Sequence, residues 1–217
     1  MEDNKIKIII SDDHALIREG LKQLLEFDGD ISVIEEAANG EECIEKVIRY
    51  NPDVLLLDIN MPKKNGIEVL ENLRDRGLNQ KVIILTVHNE VEFILKAMDL
   101  NVNGYILKDS CSSEIKQAIY TVMKGEVFIQ KELVPELNSK LLKRDIDKEK
   151  IKSLTKRELE ILKLVSNGQS NKDLATALNI SERTVKNHLS SLFKKLDVED
   201  RTQAAVFAIK NDLVELY

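Results

Sequence analysis

The 217-residue chain has no tryptophan, two cysteines, three prolines and eight glycines, and only 4% of its residues are aromatic. Cys43 and Cys111 are too few and too far apart in sequence for a disulfide framework or a thiolate metal cluster, so they read as buried or idle thiols. The scarcity of proline and glycine excludes collagen-like and low-complexity chains. Long apolar runs are missing too. The longest, such as Val54–Leu57 and Val82–Leu85, are interrupted within a few residues, far short of the roughly 18 that a spanning helix needs. The opening MEDNKIK carries two acids before its first lysine and no apolar stretch, so it does not read as a signal peptide. The expectation is a cytoplasmic protein with no membrane segment.

What is present is globular composition: 43% hydrophobic residues, with 32 Lys+Arg against 38 Asp+Glu. At about 100–200 residues per domain the length suits two small domains, each able to bury its own core. The net charge of −6 is unevenly spread. Residues 1–130 hold 15 basic and 24 acidic side chains, while 131–217 hold 17 basic and 14 acidic. The two parts are therefore expected to meet different partners.

In the first part, short apolar runs at Ile6–Ile10, Ile31–Ile34, Val54–Leu57, Val82–Leu85 and Tyr105–Leu107 read as buried strands. Segments with helical spacing lie between and after them: His14–Phe27, Gly40–Tyr50, Gly66–Arg76, Glu90–Leu100 and Ser112–Lys124. Five strand-helix alternations predict an α/β domain, a doubly wound five-stranded parallel sheet over residues 1–125. The charge-rich stretch 126–152 reads as a linker, in part helical. From Ser153 to Tyr217 the pattern is all-α, four short helices with capping-box spacing at Thr155/Glu158 and Ser170/Asp173 and a candidate N-cap at Ser181.

Chemistry-bearing residues fall at predicted strand ends: Asp12 and Asp13 after the first, Asp58 after the third, Thr86 after the fourth and Lys108 after the fifth. In an open parallel sheet, ligands bind in the crevice at these ends. Taken singly, an acid pair after a strand is an ordinary helix start and Lys108 a solvated charge. Together they are improbable by chance. Three carboxylates in one crevice are driven toward protonation unless a cation neutralises them, and Mg²⁺ is the natural hard cation for such oxygens. Lys108 and Thr86 then offer a charge and a hydroxyl to a phosphoryl group.

These residues carry a resemblance. Ser11-Asp12-Asp13-His14, Asp58-Ile59-Asn60-Met61-Pro62 with Gly66, Leu85-Thr86 and Tyr105-Ile106-Leu107-Lys108 resemble the receiver domain of two-component response regulators, a flavodoxin-like fold. The resemblance implies that Asp58 accepts a phosphoryl group from a phosphohistidine on a sensor histidine kinase. It implies that Asp12, Asp13, Asp58 and the Asn60 carbonyl organise Mg²⁺, that Thr86 and Lys108 hold the phosphoryl oxygens, and that Tyr105 is an aromatic switch residue. It also implies no enzymatic turnover of external substrates. Ser11 departs mildly from the family, in which an apolar residue usually precedes the acid pair.

In the second part, Asn171–Leu178, a turn at Asn179-Ile180 and Ser181–Leu196 have helix-turn-helix spacing. At 100° per residue, Val185, Leu189, Leu192, Phe193 and Leu196 share one face of the second helix; Arg183, Lys186, Asn187, Ser190, Ser191 and Lys194 share the other. Residues 183–195 contain four bases and no acid, which suits a solvated amphipathic helix when taken alone and, behind a helix-turn-helix spacing, a helix that enters the major groove of double-stranded DNA. Leu154-Thr155-Lys156-Arg157-Glu158, Asn171-Lys172-Asp173-Leu174-Ala175 and Ser181 to His188 resemble a LuxR-type helix-turn-helix, and the whole chain resembles a NarL/FixJ-type response regulator. The candidate DNA contacts are Arg183, Thr184, Lys186, Asn187, Ser190 and Lys194. The resemblance further implies a homodimer on phosphorylation, helped by the segment Thr202–Asn211, although its Ala204, Ala205, Ala208 and Ile209 equally suit packing within the domain. His88 reads as a loop residue. Two other classes stay open at this point: an Mg²⁺-dependent phosphatase, against which Asn60 stands where such an enzyme wants an acid, and a receiver that signals only through protein contacts.

Overall fold

In a computed structural model, described for residues 5–86 and 91–214, the run Val54–Asp58 forms a strand buried at all five positions. A strand buried on both faces has to lie inside a sheet covered by helices on both sides. The surrounding chain provides that cover: β1 (Ile6–Ser11), α1 (Ala15–Glu26), β2 (Ile31–Ala37), α2 (Gly40–Tyr50), β3 (Val54–Asp58), α3 (Gly66–Asp75), β4 (Lys81–Thr86), α4 (Val91–Asp99), β5 (Gly104–Leu107), α5 (Ser112–Met123) and β6 (Phe128–Ile129). All pairings are parallel, in the order β2-β1-β3-β4-β5-β6.

One face of the sheet packs Ile8, Ile10, Val54, Leu56, Ile83, Leu85 and Ile106 against Leu21 and Leu25 of α1 and Ile115, Ala118, Ile119 and Val122 of α5. By the strand period of two, Ile9, Leu55, Leu57, Ile84 and Tyr105 fall on the opposite face, the side of α2, α3 and α4. Strand order reverses between β1 and β3, and there the crevice opens at the strands' carboxyl ends. His88 and Glu90, read from the sequence as a loop residue and a helix start, lie outside the described residues.

The expected five strands become six. Phe128 and Ile129 pair with Gly104 and Tyr105, and a two-residue strand has no alternation by which a sequence could announce it. The segment 126–152, expected as a linker, therefore holds β6, a 3₁₀ turn at Lys131–Leu133 and α6 (Val134–Lys152). Leu133 and Leu137, one helical turn apart, are both buried, which ties the start of α6 into structure despite the dense charges after it.

The chain divides into two compact units, residues 1–140 and 141–217. The second contains α7 (Lys156–Ser166), α8 (Asn171–Leu178), α9 (Glu182–Leu196) and α10 (Arg201–Lys210). Both expected capping boxes form, Thr155 with Glu158 and Ser170 with Asp173, and Ser181 caps α9 by accepting from the Thr184 N–H. Asn179 ends α8 in the left-handed region (φ 52°), and Ile180 N–H returns to the Ala175 carbonyl, so three residues suffice to turn the chain into α9. Ile161, Leu162, Val165, Leu174, Val185, Leu189, Leu192 and Leu196 close the core with Ala204 and Ala208 of α10. The two alanines are fully buried, so they serve the close packing of α10 on α7 within the unit. Among the described residues, no helix is long and apolar enough to cross a membrane.

Candidate functional site

Three strands of one sheet, β1 and β3 as neighbours and β5 beyond β4, deliver the site. β1 ends beside Asp12, β3 ends in Asp58, and β5 hands the chain to Lys108. Asp12 and Asp58 are fully buried and face a single ammonium: Lys108 Nζ lies 2.7 Å from Asp58 Oδ2 and 3.0 Å from Asp12 Oδ2. Neither Oδ2 has a further hydrogen-bond donor among the described residues. The other oxygens are held by the chain, Asp58 Oδ1 by the Asn60 N–H at 3.2 Å and Asp12 Oδ1 by the His14 N–H at 2.8 Å. Asp13 is more exposed and meets His14 Nδ1 at 2.7 Å. Thr86 is fully buried at the end of β4, and its carbonyl accepts from the Lys108 N–H at 2.8 Å. The structure thus gathers Asp12, Asp13, Asp58 and Lys108 directly, with Asn60 and Thr86 at the rim of the same crevice.

The electrostatics follow from one lysine serving two buried acids. Burial, the largest influence on Asp58, pushes its carboxyl up to about 6; Lys108 and the Asn60 N–H pull it down, while Asp12 adds a further push upward. Burial opposes the Lys108 ammonium, but Asp58 and Asp12 outweigh it and hold the amine above the usual lysine value. Donor atoms of Asp12, Asp13, His14 and Asp58 lie within 4.8 Å of one another. With three carboxylates against one ammonium, and with two buried carboxylate oxygens that among the described residues meet only that ammonium, the cluster fits a hard divalent cation.

Supporting residues surround it, some of them illegible in sequence. Arg18 Nη1 donates to the Asp12 carbonyl at 2.7 Å, which fixes the strand end from α1. Gly66 packs so closely under β3 that a Cβ there would run into the Asp58 carbonyl, while its N–H holds the Ile59 carbonyl at 2.8 Å. Tyr105 is buried, its hydroxyl has no hydrogen-bond partner among the described residues, and burial, with Asp99 second, pushes its phenol above the usual range.

On α9, Val185, Leu189, Leu192 and Leu196 are buried, and Arg183, Lys186, Asn187, Ser190 and Lys194 are exposed. Thr184 is half-buried, its hydroxyl 2.8 Å from that of Ser181. Ser191 is exposed, as expected of the polar face, and its hydroxyl also donates to Glu158 Oε1 at 2.6 Å. Lys195 turns back, to Glu158 Oε2 at 2.7 Å and the Ser153 carbonyl at 3.0 Å. A helical wheel cannot see that Glu158 of α7 stands opposite these two. Burial pushes Glu158 up, but Lys195, Ser191 and Thr155 overcome it and bring the carboxyl to about 2. An ionised acid thus clamps α7 to the back of α9 and leaves the other cations facing outward.

A buried acid-lysine crevice at the switch point of a parallel sheet, followed by a helix-turn-helix with one cationic face, defines a receiver joined to a DNA-binding module. Residues 8–120 match the response regulator receiver domain, and residues 152–208 match the bacterial regulatory proteins of the luxR family. The chain belongs to the NarL/FixJ-type response regulators, DNA-binding regulators of transcription. It is 36% identical to the transcriptional regulatory protein DegU of Brevibacillus brevis over all of this chain and 98% of DegU. It is 38% identical to the nitrate/nitrite response regulator protein NarL of Escherichia coli K12, over 92% of this chain and 93% of NarL. Among solved structures, two RcsB dimers bound to two parallel DNAs provide a chain 25% identical, with a TM-score of 0.60 over 95% of this chain and 99% of that one.

The raised Asp58 carboxyl makes stability pH-dependent. Between the ordinary 3.8 and about 6 the folded chain binds the extra proton, so this group's contribution to stability falls as pH rises through that window and stays unfavourable above it. Asp58→Asn is expected to be more stable than the parent at pH 7.5, by on the order of 1–3 kcal/mol, and to lose that advantage near pH 4. Urea denaturation at the two pH values checks this; a parent at least as stable as the variant at pH 7.5 contradicts it.

Proposed function

We propose that this chain is a phosphorylation-switched transcription regulator in which Asp58 takes a phosphoryl group from a phosphohistidine of a sensor histidine kinase. The observation that carries the reading is the buried Asp58 carboxylate, ion-paired to Lys108 at the sheet's switch point, in a chain that also carries a cationic helix-turn-helix. In the transfer, an Asp58 oxygen forms a bond to phosphorus, the phosphorus-nitrogen bond of the donor breaks, and the freed imidazole nitrogen takes a proton. With a carboxyl at about 6, Asp58 is about nine-tenths ionised near pH 7, as a nucleophile must be. Lys108 moves its ammonium from the carboxylates to the new phosphoryl oxygens, and the Thr86 hydroxyl reaches the same group. Asp12, Asp13, Asp58 and the Asn60 carbonyl would hold Mg²⁺, which when bound neutralises charge on the phosphoryl oxygens. Tyr105, buried with a hydroxyl that has no partner among the described residues, is the switch residue. Asn60 leaves the site without a second acid two residues after its nucleophile, so the chain acts on itself and turns over no external substrate.

In the second unit Lys186, Asn187 and Ser190 read base edges, while Arg183, Thr184 and Lys194 meet the phosphate backbone of double-stranded DNA. One small helix-turn-helix offers few base contacts, so two linked copies on paired half-sites bind far better. Phosphorylation accordingly favours a homodimer, in the cytoplasm where kinase and DNA are both reached. The RcsB dimers on DNA support this arrangement.

A small acyl-phosphate donor with Mg²⁺ is expected to add one phosphoryl group to the parent and none to Asp58→Asn, read by intact-mass spectrometry. Equal labelling of the two would overturn the assignment. For DNA, Lys186→Ala and Asn187→Ala are expected to erode discrimination between operator and random duplex by about 1–3 kcal/mol each. Lys194→Ala should instead weaken all sequences and lower the salt slope by about one counterion. Salt-resolved binding curves separate the two behaviours, and unchanged discrimination in the first two variants refutes the facing of α9.

A further inference from the structure

β6 ends after two residues, yet its ladder with β5 continues by other means. The Gln130 N–H donates to the Tyr105 carbonyl at 3.0 Å, the last backbone rung. The next rung needs an acceptor for the Leu107 N–H, but the chain turns away at Lys131, and the Gln130 carbonyl is already taken by the Leu133 N–H at 3.0 Å. The Gln130 side chain supplies the acceptor: its Oε1 takes the Leu107 N–H at 2.7 Å and the Ser110 hydroxyl at 2.8 Å. Gln130 is itself only 6% exposed. The Leu107 N–H can only donate, so the amide oxygen is the atom that faces it, and two donors saturate that oxygen.

Lys108 stands between these two anchor points. Its own N–H is held by the Thr86 carbonyl, and its ammonium by Asp58 and Asp12. The turn that aims Lys108 is therefore gripped by Thr86 on one side and on the other by a residue of the segment that opens α6. We propose that Gln130 is a positioning residue of the phosphoryl site: it sets the Leu107–Ser110 turn from which Lys108 reaches Asp58, and it transmits displacement of that turn to β6 and the start of α6. The inference rests on the phosphoacceptor reading of Asp58. A phosphoryl group on Asp58 occupies space beside Oδ2, where the ammonium now stands, so Lys108 has to reseat. Letting go of Gln130 as the turn shifts would strand the Leu107 N–H in a buried place, so the turn and Gln130 move together.

The test is the response of backbone amides in the full isotope-labelled chain to Mg²⁺ with beryllofluoride, a phosphoryl mimic. In the parent, resonances of Asp58, Thr86 and Lys108 shift, and so do those of Leu133 and Leu137, three and seven residues past Gln130. Gln130→Leu keeps the bulk and removes the acceptor; site shifts persist while those at Leu133 and Leu137 fall at least threefold. Gln130→Glu, which retains an acceptor oxygen, restores them, an outcome that a purely structural role would not give. Ser110→Ala removes one of the two bonds from a half-buried position, and a partial fall supports the proposal even where Gln130→Leu fails to fold. Undiminished shifts at Leu133 and Leu137 in Gln130→Leu or Ser110→Ala overturn it, as does a Glu variant that restores nothing. A parent whose site shifts while Leu133 and Leu137 stay still overturns this inference alone. A parent that does not respond even at Asp58 and Thr86 overturns the phosphoacceptor reading and this inference with it.

Discussion

One ammonium shared by two buried carboxylates organises the first unit. Lys108 approaches Asp58 at 2.7 Å and Asp12 at 3.0 Å; Lys108 follows β5, Asp58 ends β3 and Asp12 follows β1. A parallel sheet brings the carboxyl ends of these strands to one edge, with β4 between β3 and β5, and helical cover on both faces removes the water that would otherwise screen the charges. Desolvation raises Asp58 and the lysine restrains it, so the site is held near a balance. Gly66, Arg18 and Gln130 are shaped around that balance, each holding a strand end or turn in place through the backbone.

The second unit uses the same physics for the opposite end. Glu158 is also a buried acid, but it has a lysine and two hydroxyls of its own, and its carboxyl falls to about 2. A fully partnered acid is a brace with a lowered carboxyl, whereas an acid that must share its partner keeps a raised one. The brace turns Lys195 back toward α7 and engages the hydroxyl of the exposed Ser191, leaving Arg183, Lys186, Asn187, Ser190 and Lys194 exposed with no part in it.

What could be read in the sequence follows from how local each signal is. Asp58 and Lys108 were legible because each ends a strand whose buried residues form a short apolar run, and the helix starts at Thr155, Ser170 and Ser181 because a cap bonds only three residues ahead. β6 escaped because two residues hold no period and its last rung is a side chain. Arg18 on the Asp12 carbonyl and Glu158 behind α9 escaped because both contacts depend on tertiary placement. Ala204 and Ala208 were ambiguous for the same reason, since small residues mark close packing without saying against what.

The most direct test of the shared-lysine balance is a carbon-13 titration of the Asp58 carboxyl by nuclear magnetic resonance, in the parent and in Lys108→Gln. The parent is expected to titrate at about 6 without divalent cation, lower when Mg²⁺ is added, and higher once Lys108 no longer restrains it. A carboxyl that titrates near the ordinary 3.8 and ignores both Mg²⁺ and the loss of Lys108 would contradict it.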